Sequence, residues 1–133
     1  MSRTGIKRAM ARLTIILVAL YHVGSARDGV DSRLKDSVVD DLRALGSKEG
    51  RAVLKAAVRR LASDPLAEMR NLKTLRPNAV AERELRLFGK YRVLFNVEPA
   101  ERRVTMVLAG AKRGQSLIVQ GRRYTAHESH PTE

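Results

Sequence analysis

The chain has 133 residues, a formal net charge of +12, no cysteine and no tryptophan. One ordinary domain with a real core fits that length, and 44% hydrophobic residues argue for a folded rather than a disordered chain. The lack of cysteine excludes disulfides, thiolate metal sites and cysteine nucleophiles, and it suits a reducing compartment such as the cytoplasm. His22, His127 and His130 make no zinc-binding spacing, so neither a metal nor a cofactor is expected.

Residues 1–12 are basic and polar, and an apolar run, Leu13 to Tyr21, follows them. The run falls well short of the ~20 apolar residues that a membrane-spanning helix needs. Three readings of residues 1–28 stay open. They are a signal peptide with small residues at Gly24-Ser25-Ala26, a buried strand or apolar helix, or an extension upstream of the domain start.

Val30 to Lys35 reads as a short strand. Ser37 then looks like a helix N-cap, with Asp40 in the capping-box position. Val38, Leu42 and Leu45 recur at helical spacing, and Gly46 supplies the stop. Ser47 caps a second helix with Leu54, Ala57, Val58 and Leu61 as its apolar stripe, closed by Ser63-Asp64-Pro65. The two helices make a predicted antiparallel hairpin. Residues 66–80 read as a connector.

From there the period changes to two. Leu85 and Leu87 alternate with Glu84 and Arg86, Gly89-Lys90 reads as a tight turn, and Tyr91 to Val97 is a clear strand. Glu98 to Glu101 is a second turn, and Arg103 to Ala109 is a third strand. Gly110 to Gly114 reads as a basic loop. Ser116 to Val119, Gln120-Gly121 and Arg122 to Thr125 make a small late hairpin. The tail from residue 127 is polar. A strand, a helical hairpin and an antiparallel sheet of three or four strands give an α+β class. The domain spans residues 29–126.

Charge is unevenly placed. Residues 28–69 hold eight basic and eight acidic side chains, whereas residues 70–124 hold thirteen basic and four acidic ones. A basic half of that size attracts polyanions, nucleic acid first, and also an acidic protein partner. Glu82 and Glu84 lie two apart on a predicted strand and would share a face. Their Arg-rich surroundings hold both ionised, which argues against paired acid–base work. Gly110 to Gly114 is no phosphate-binding P-loop, because no Lys-Ser/Thr follows.

At Arg86-Leu-Phe-Gly-Lys-Tyr-Arg-Val-Leu-Phe95 the sequence resembles the central hairpin of the RelE/ParE superfamily of toxins. Lys35 to Leu45 is similar to the start of that family's first helix, and Leu61-Ala-Ser-Asp-Pro65 to the close of its second. Leu72 to Asn78, Glu84-Leu-Arg86 and Ala109-Gly-Ala-Lys-Arg-Gly-Gln-Ser-Leu-Ile-Val119 resemble one subgroup. The likeness covers about residues 30–125.

The resemblance implies a microbial-ribonuclease-like fold and the toxin role of a type II toxin–antitoxin system. It implies a cytoplasmic protein neutralised by an acidic cognate antitoxin, with no membrane partner and no small-molecule cofactor. Its activity would be metal-independent, ribosome-associated mRNA cleavage that inhibits translation and arrests growth. The alternatives are non-catalytic inhibition of DNA gyrase, or a degenerate member that only binds its antitoxin.

For cleavage, Arg92 matches the family's phosphate-clamping Arg, Lys112 its electrostatic stabiliser, and Arg86 joins them. Lys73, Arg76, Lys90 and Arg113 are candidate phosphate contacts. Guanidinium suits a clamp because it stays charged and binds two oxygens at once. Three departures stand out. The family's late Tyr falls near Ile118, and its pair of Lys near Glu82 and Glu84. Tyr124 replaces that Tyr only if the last hairpin brings it back.

Overall fold

A computed structural model describes residues 30–124. The expectations for residues 1–28 and for the tail from 127 lie outside the described residues.

The elements are β1 (Asp31–Leu34), α1 (Asp36–Ala44), α2 (Ser47–Leu61), β2 (Leu72–Thr74), β3 (Arg83–Leu87), β4 (Tyr91–Glu98), β5 (Arg103–Arg113), β6 (Ser116–Val119) and β7 (Arg122–Tyr124). A 3₁₀ turn at Pro99–Glu101 joins β4 to β5, with Arg102 left-handed after it. The α+β class is as expected. The sheet is larger, with seven strands in the order β2-β3-β4-β5-β6-β7 and β1 parallel to β5. No helix among the described residues is long and apolar enough to cross a membrane.

Both helices cover one face. Val38 and Leu42 of α1 and Val53, Leu54, Ala57 and Leu61 of α2 pack on Leu72, Leu85, Val93, Phe95, Val104, Met106 and Ala109. Gly50 allows the helices to meet closely, since a Cβ there would lie 2.4 Å from the Leu42 carbonyl oxygen. Apolar burial of this kind contributes roughly 25 cal/mol per Å² and is the main stabilising term. The other face carries a smaller cluster of Ala81, Leu94 and Val107, with Leu75, Val80, Leu108 and Tyr124 against it. That explains the unbroken run Val93-Leu94-Phe95, in which successive side chains serve opposite faces. A bulge at Val107 keeps β5 in step. Leu94 pairs with Leu108, but Phe95 pairs with Met106, so one residue is extra.

Several local expectations change. Ser37 is not the N-cap. Helix α1 starts at Asp36 after an extended Lys35, with no side-chain cap. The backbone replaces it, for Lys35 N–H donates to Met106 O at 3.0 Å and Val38 N–H to Lys35 O at 2.9 Å. Ser47 is not a cap either but the first residue of α2, and Gly46, with φ 112°, both stops one helix and starts the next. The connector contains β2. Arg83, its side chain 6% exposed, clamps the connector by donating to Glu68 at 2.7 Å, Thr74 Oγ1 at 2.8 Å and the Ala67 carbonyl. Asn78 sets the next loop, with its Oδ1 accepting from Val80 and Ala81 N–H and its Nδ2 donating to Arg76 and Ala81 carbonyls.

The β3–β4 loop is Phe88-Gly89-Lys90, one residue longer than the expected Gly89-Lys90 turn, and Leu87 pairs with Tyr91 across it. Phe88 and Gly89 have positive φ, 54° and 69°, and Lys90 N–H donates to Leu87 O at 3.1 Å, which are the marks of a type I′ turn over Leu87–Lys90. For Phe88 that conformation costs on the order of 1 kcal/mol. The expected basic loop is strand. β5 continues to Arg113, pairing Ala111, Lys112 and Arg113 with β6, and the turn follows at Gly114. The glycine at 110 serves close approach, because a Cβ would lie 2.5 Å from Ile118 O and 2.9 Å from Val119 Cγ2.

One edge of β5 is shared between β1, along Arg103–Met106, and β6, along Ala111–Arg113. Asp41 of α1, 3% exposed, fills the gap between them. Its Oδ2 accepts the Ala109 N–H at 3.0 Å, and its Oδ1 accepts from Gln120 Nε2 at 2.6 Å. Burial pushes its carboxyl above the ordinary value, outweighing those two hydrogen bonds, which lower it. The folded state therefore holds this proton to higher pH than the unfolded chain. Between the two values, stability falls as pH rises. Asp41→Asn keeps an acceptor for Ala109 and, with the Gln120 amide turned over, its second bond. It is expected to abolish that fall and to match or exceed the native Tm at neutral pH. Asp41→Ala orphans a buried N–H and should lose about 1–3 kcal/mol in denaturant unfolding.

Candidate nucleic-acid interface

The candidate site lies on the sheet face away from the helices. Residues directly opposite on paired strands share a face. Lys73 pairs with Glu84, Arg86 with Arg92, and Arg92 with Gly110, while Lys112 is two residues beyond Gly110. Glu84, Arg86, Arg92, Lys73 and Lys112 therefore project from one face. Diagonal neighbours in such a ladder lie about 7–8 Å apart at Cα, which is the relation of Arg92 to Lys112.

Like charges directly opposite repel, and Arg86 and Arg92 are directly opposite. Glu84 stands beside both. Its Oε1 accepts from Arg86 Nε at 3.2 Å, and its Oε2 lies 4.0 Å from Arg92 Nε. Arg92 Nη1 also donates to the Tyr91 carbonyl at 3.1 Å. Arg92 is only 9% exposed. Burial pulls its guanidinium below the ordinary value, Glu84 opposes that shift, and Arg86 adds to it. A guanidinium nevertheless stays charged in proteins, so the face carries a fixed cation backed by one carboxylate.

The structure brings together Arg86, Arg92, Lys112 and Lys73, with Lys73 and Lys112 exposed. Lys90 sits at the hairpin tip, its Nζ 5.4 Å from the Tyr91 ring centroid. Its carbonyl accepts the Lys112 N–H at 2.8 Å, so the tip adjoins β5. Arg113 follows Lys112 and by alternation lies on the opposite face. Arg76 is exposed in the loop after β2, outside the ladder. Glu82 does not join Glu84. Its Oε1 accepts the Val97 N–H at 3.1 Å, fixing the start of β3. Tyr91 is half-buried against the main core.

Two more residues join the face: Tyr124, on the condition set for it that the last hairpin folds back, and Arg122, which sequence reasoning left aside. Lys112 pairs with Leu117, and Leu117 with Tyr124, so Tyr124 shares the cationic face and packs by Leu94 and Leu108. Arg122, opposite Val119, joins it as well. The signal was the Gln120-Gly121 turn, both residues with positive φ at 52° and 79°, which folds β7 back on β6 in fixed register. Among the described residues no cluster of three or more His, Asp or Glu is placed to hold a metal.

No protein-family model matches the sequence. No curated protein matches it. Among solved structures, the chain is similar to the toxin–antitoxin complex RelBE2 from Mycobacterium tuberculosis, at 25% identity and a TM-score of 0.53. The likeness covers 61% of this chain and 88% of the chain matched. It agrees with the observed order of two helices followed by an antiparallel sheet of several strands. This chain has the fold of a RelE-family toxin.

Proposed function

We propose that the chain is the toxin of a type II toxin–antitoxin system and acts on translation by cleaving mRNA at the ribosome. The observation that carries this reading is the cationic face, with Arg86 and Arg92 paired across one hairpin and Lys112 beside them on β5. Its likeness to a chain of a toxin–antitoxin complex supports the toxin role and a protein antitoxin. The net charge of +12 favours an acidic one.

Cleavage of an RNA phosphodiester by its own 2′-hydroxyl puts negative charge on a pentavalent phosphate. The hydroxyl loses a proton and the leaving 5′-oxygen gains one. Arg92, fixed by Tyr91 O and Glu84, clamps the phosphate, and Lys112 stabilises the developing charge from the next strand. Arg86, Lys73 and Lys90 hold flanking phosphates, while Arg76 and Arg113 steer from the margins. The Tyr124 phenol lies on the same face, where a proton-transfer or stacking group belongs.

One observation favours a second reading. Glu84 stands where the family has a cation, and it neutralises part of the Arg pair. A toxin that blocks DNA gyrase without cleaving anything needs only the cationic surface.

Inducible expression with mapping of mRNA 5′ ends separates the two. New ribosome-dependent ends are expected with the native chain, and Arg92→Ala should reduce them about 10²-fold, as loss of one transition-state donor does. Because Arg92 is largely buried, the exposed Lys112→Ala carries the same test without a folding cost. DNA-damage signalling with intact mRNA decides for gyrase instead. Glu84→Gln separates structural from binding effects. It keeps an amide oxygen for Arg86 Nε but removes the negative charge between two guanidinium groups, and is expected to cost up to about 1 kcal/mol of stability. It should also tighten RNA binding and steepen its salt dependence by up to about one unit.

A further inference from the structure

Phe88 is not the side chain its turn position favours. The tip of the β3–β4 hairpin needs two residues of positive φ, and asparagine or glycine meets that need best. The chain places a large apolar ring there, at φ 54° and 62% exposed. The ring does not enter either core cluster. The ring meets Tyr91 edge to face, with centroids 6.4 Å apart and planes at 83°. Tyr91 is anchored in the main core and carries the Lys90 ammonium over its ring. Phe88 is thus held from one side and open on the other. An unusual backbone conformation that exposes an apolar group argues for a use outside the fold.

Its surroundings narrow the use. Arg86 is two residues back in sequence, one before the end of β3. Lys112 is joined to Lys90 through the backbone, and Arg113 follows it. Neither 85–97 nor 102–124 contains an acidic residue. An exposed apolar ring at the tip of a hairpin whose strands carry Arg86 and Arg92, with Lys90 next to it in the loop, matches single-stranded nucleic acid. Its phosphates take the cations and its bases take the ring.

We propose that Phe88 is a stacking platform for an unpaired nucleobase, one that seats single-stranded RNA along the hairpin so that a neighbouring phosphate reaches Arg86 and Arg92. The inference rests on the RNA-directed reading above and adds a base contact to it. Contact through a π-face is tolerant of sequence, so Phe88 raises affinity for any unpaired base and does not select one.

The test is binding of a short, labelled single-stranded RNA of mixed sequence to the full chain, beside an oligonucleotide of equal length with abasic sites in place of the bases. Phe88→Asn suits the turn, so its Tm should equal or exceed the native value. It is expected to bind the base-bearing RNA about tenfold more weakly, a change of about 1.4 kcal/mol, with the salt slope unchanged. On the abasic strand it should match the native protein. Phe88→Trp should retain or tighten binding to the base-bearing RNA. Lys90→Ala should weaken both strands alike and flatten the salt slope.

Unchanged affinity of Phe88→Asn for the base-bearing RNA overturns the proposal. So does a native chain that binds both strands equally. Retained RNA binding with loss of a co-purifying partner protein also overturns it and makes the ring a protein-docking residue. If Arg92→Ala weakens binding and Phe88→Asn does not, the stacking inference fails alone. If Phe88→Asn weakens binding and Arg92→Ala does not, the ring stands and the role given to Arg92 falls.

Discussion

The register of the β3–β4 hairpin is the constraint on which the candidate site depends. A three-residue loop, Phe88-Gly89-Lys90, sets Leu87 against Tyr91, Arg86 against Arg92 and Leu85 against Val93. The side-chain period of a strand is two, so a slip of one residue would turn Arg86 and Arg92 into the helix-facing core and push Leu85 and Val93 into water. Leu85 and Val93 are each 1% exposed, and their burial therefore holds two guanidinium groups together on the other face. Their repulsion is the cost of that arrangement, and Glu84 offsets it by standing beside both.

The sheet around this hairpin is two-sided in an unusual division. One face is apolar where α1 and α2 cover it. The other is apolar only around Leu94, Val107 and Leu108, and cationic beyond. The Val107 bulge reconciles the two, because it lets Met106 serve the helix side while Val107 and Leu108 serve the far side. Strand β5 also has to satisfy an edge shared by two short strands. Asp41 completes it from α1, reaching the Ala109 N–H that neither β1 nor β6 meets. The residues that fix the sheet edge are thus distinct from those that carry the cations.

Much of the fold was legible in the sequence because period and punctuation are local. The apolar stripe of α2, the change to period two at Leu85 and the turn at Pro99 each follow from neighbouring residues, and each is observed. What failed depended on distant partners. The stretch Gly110 to Gly114 looks like a loop until Ile118 and Val119 are placed beside Gly110. Strand β2 has only three residues, and it is held by Arg83, nine positions beyond Thr74. The acceptor role of Asp41 needs Ala109 and Gln120, far along the chain. In the site, the alignment of Arg86, Arg92 and Lys112 followed from alternation once the turn was known. Tyr124 required two successive pairings, Lys112 to Leu117 and Leu117 to Tyr124, and no local pattern contains both.

The chemistry of this face is electrostatic before it is acid–base. Among the described residues there is no histidine, so the group best suited to move protons near neutrality is missing from the sheet. Arg92 stays charged even where burial pulls its guanidinium down, and it cannot accept the 2′-hydroxyl proton. Its position instead resembles a preorganised cation, already desolvated and already oriented by Tyr91 O and Glu84. Such a group loses little reorganisation energy when a phosphate gathers charge, which is where enzymes gain most. Under the proposed function, this chain supplies geometry and charge, and proton transfer falls to the Tyr124 phenol, to water or to groups of the target. That division also accounts for Glu84. In a site that relies on fixed charge, a carboxylate that keeps two guanidinium groups aligned is worth the attraction it takes from the substrate.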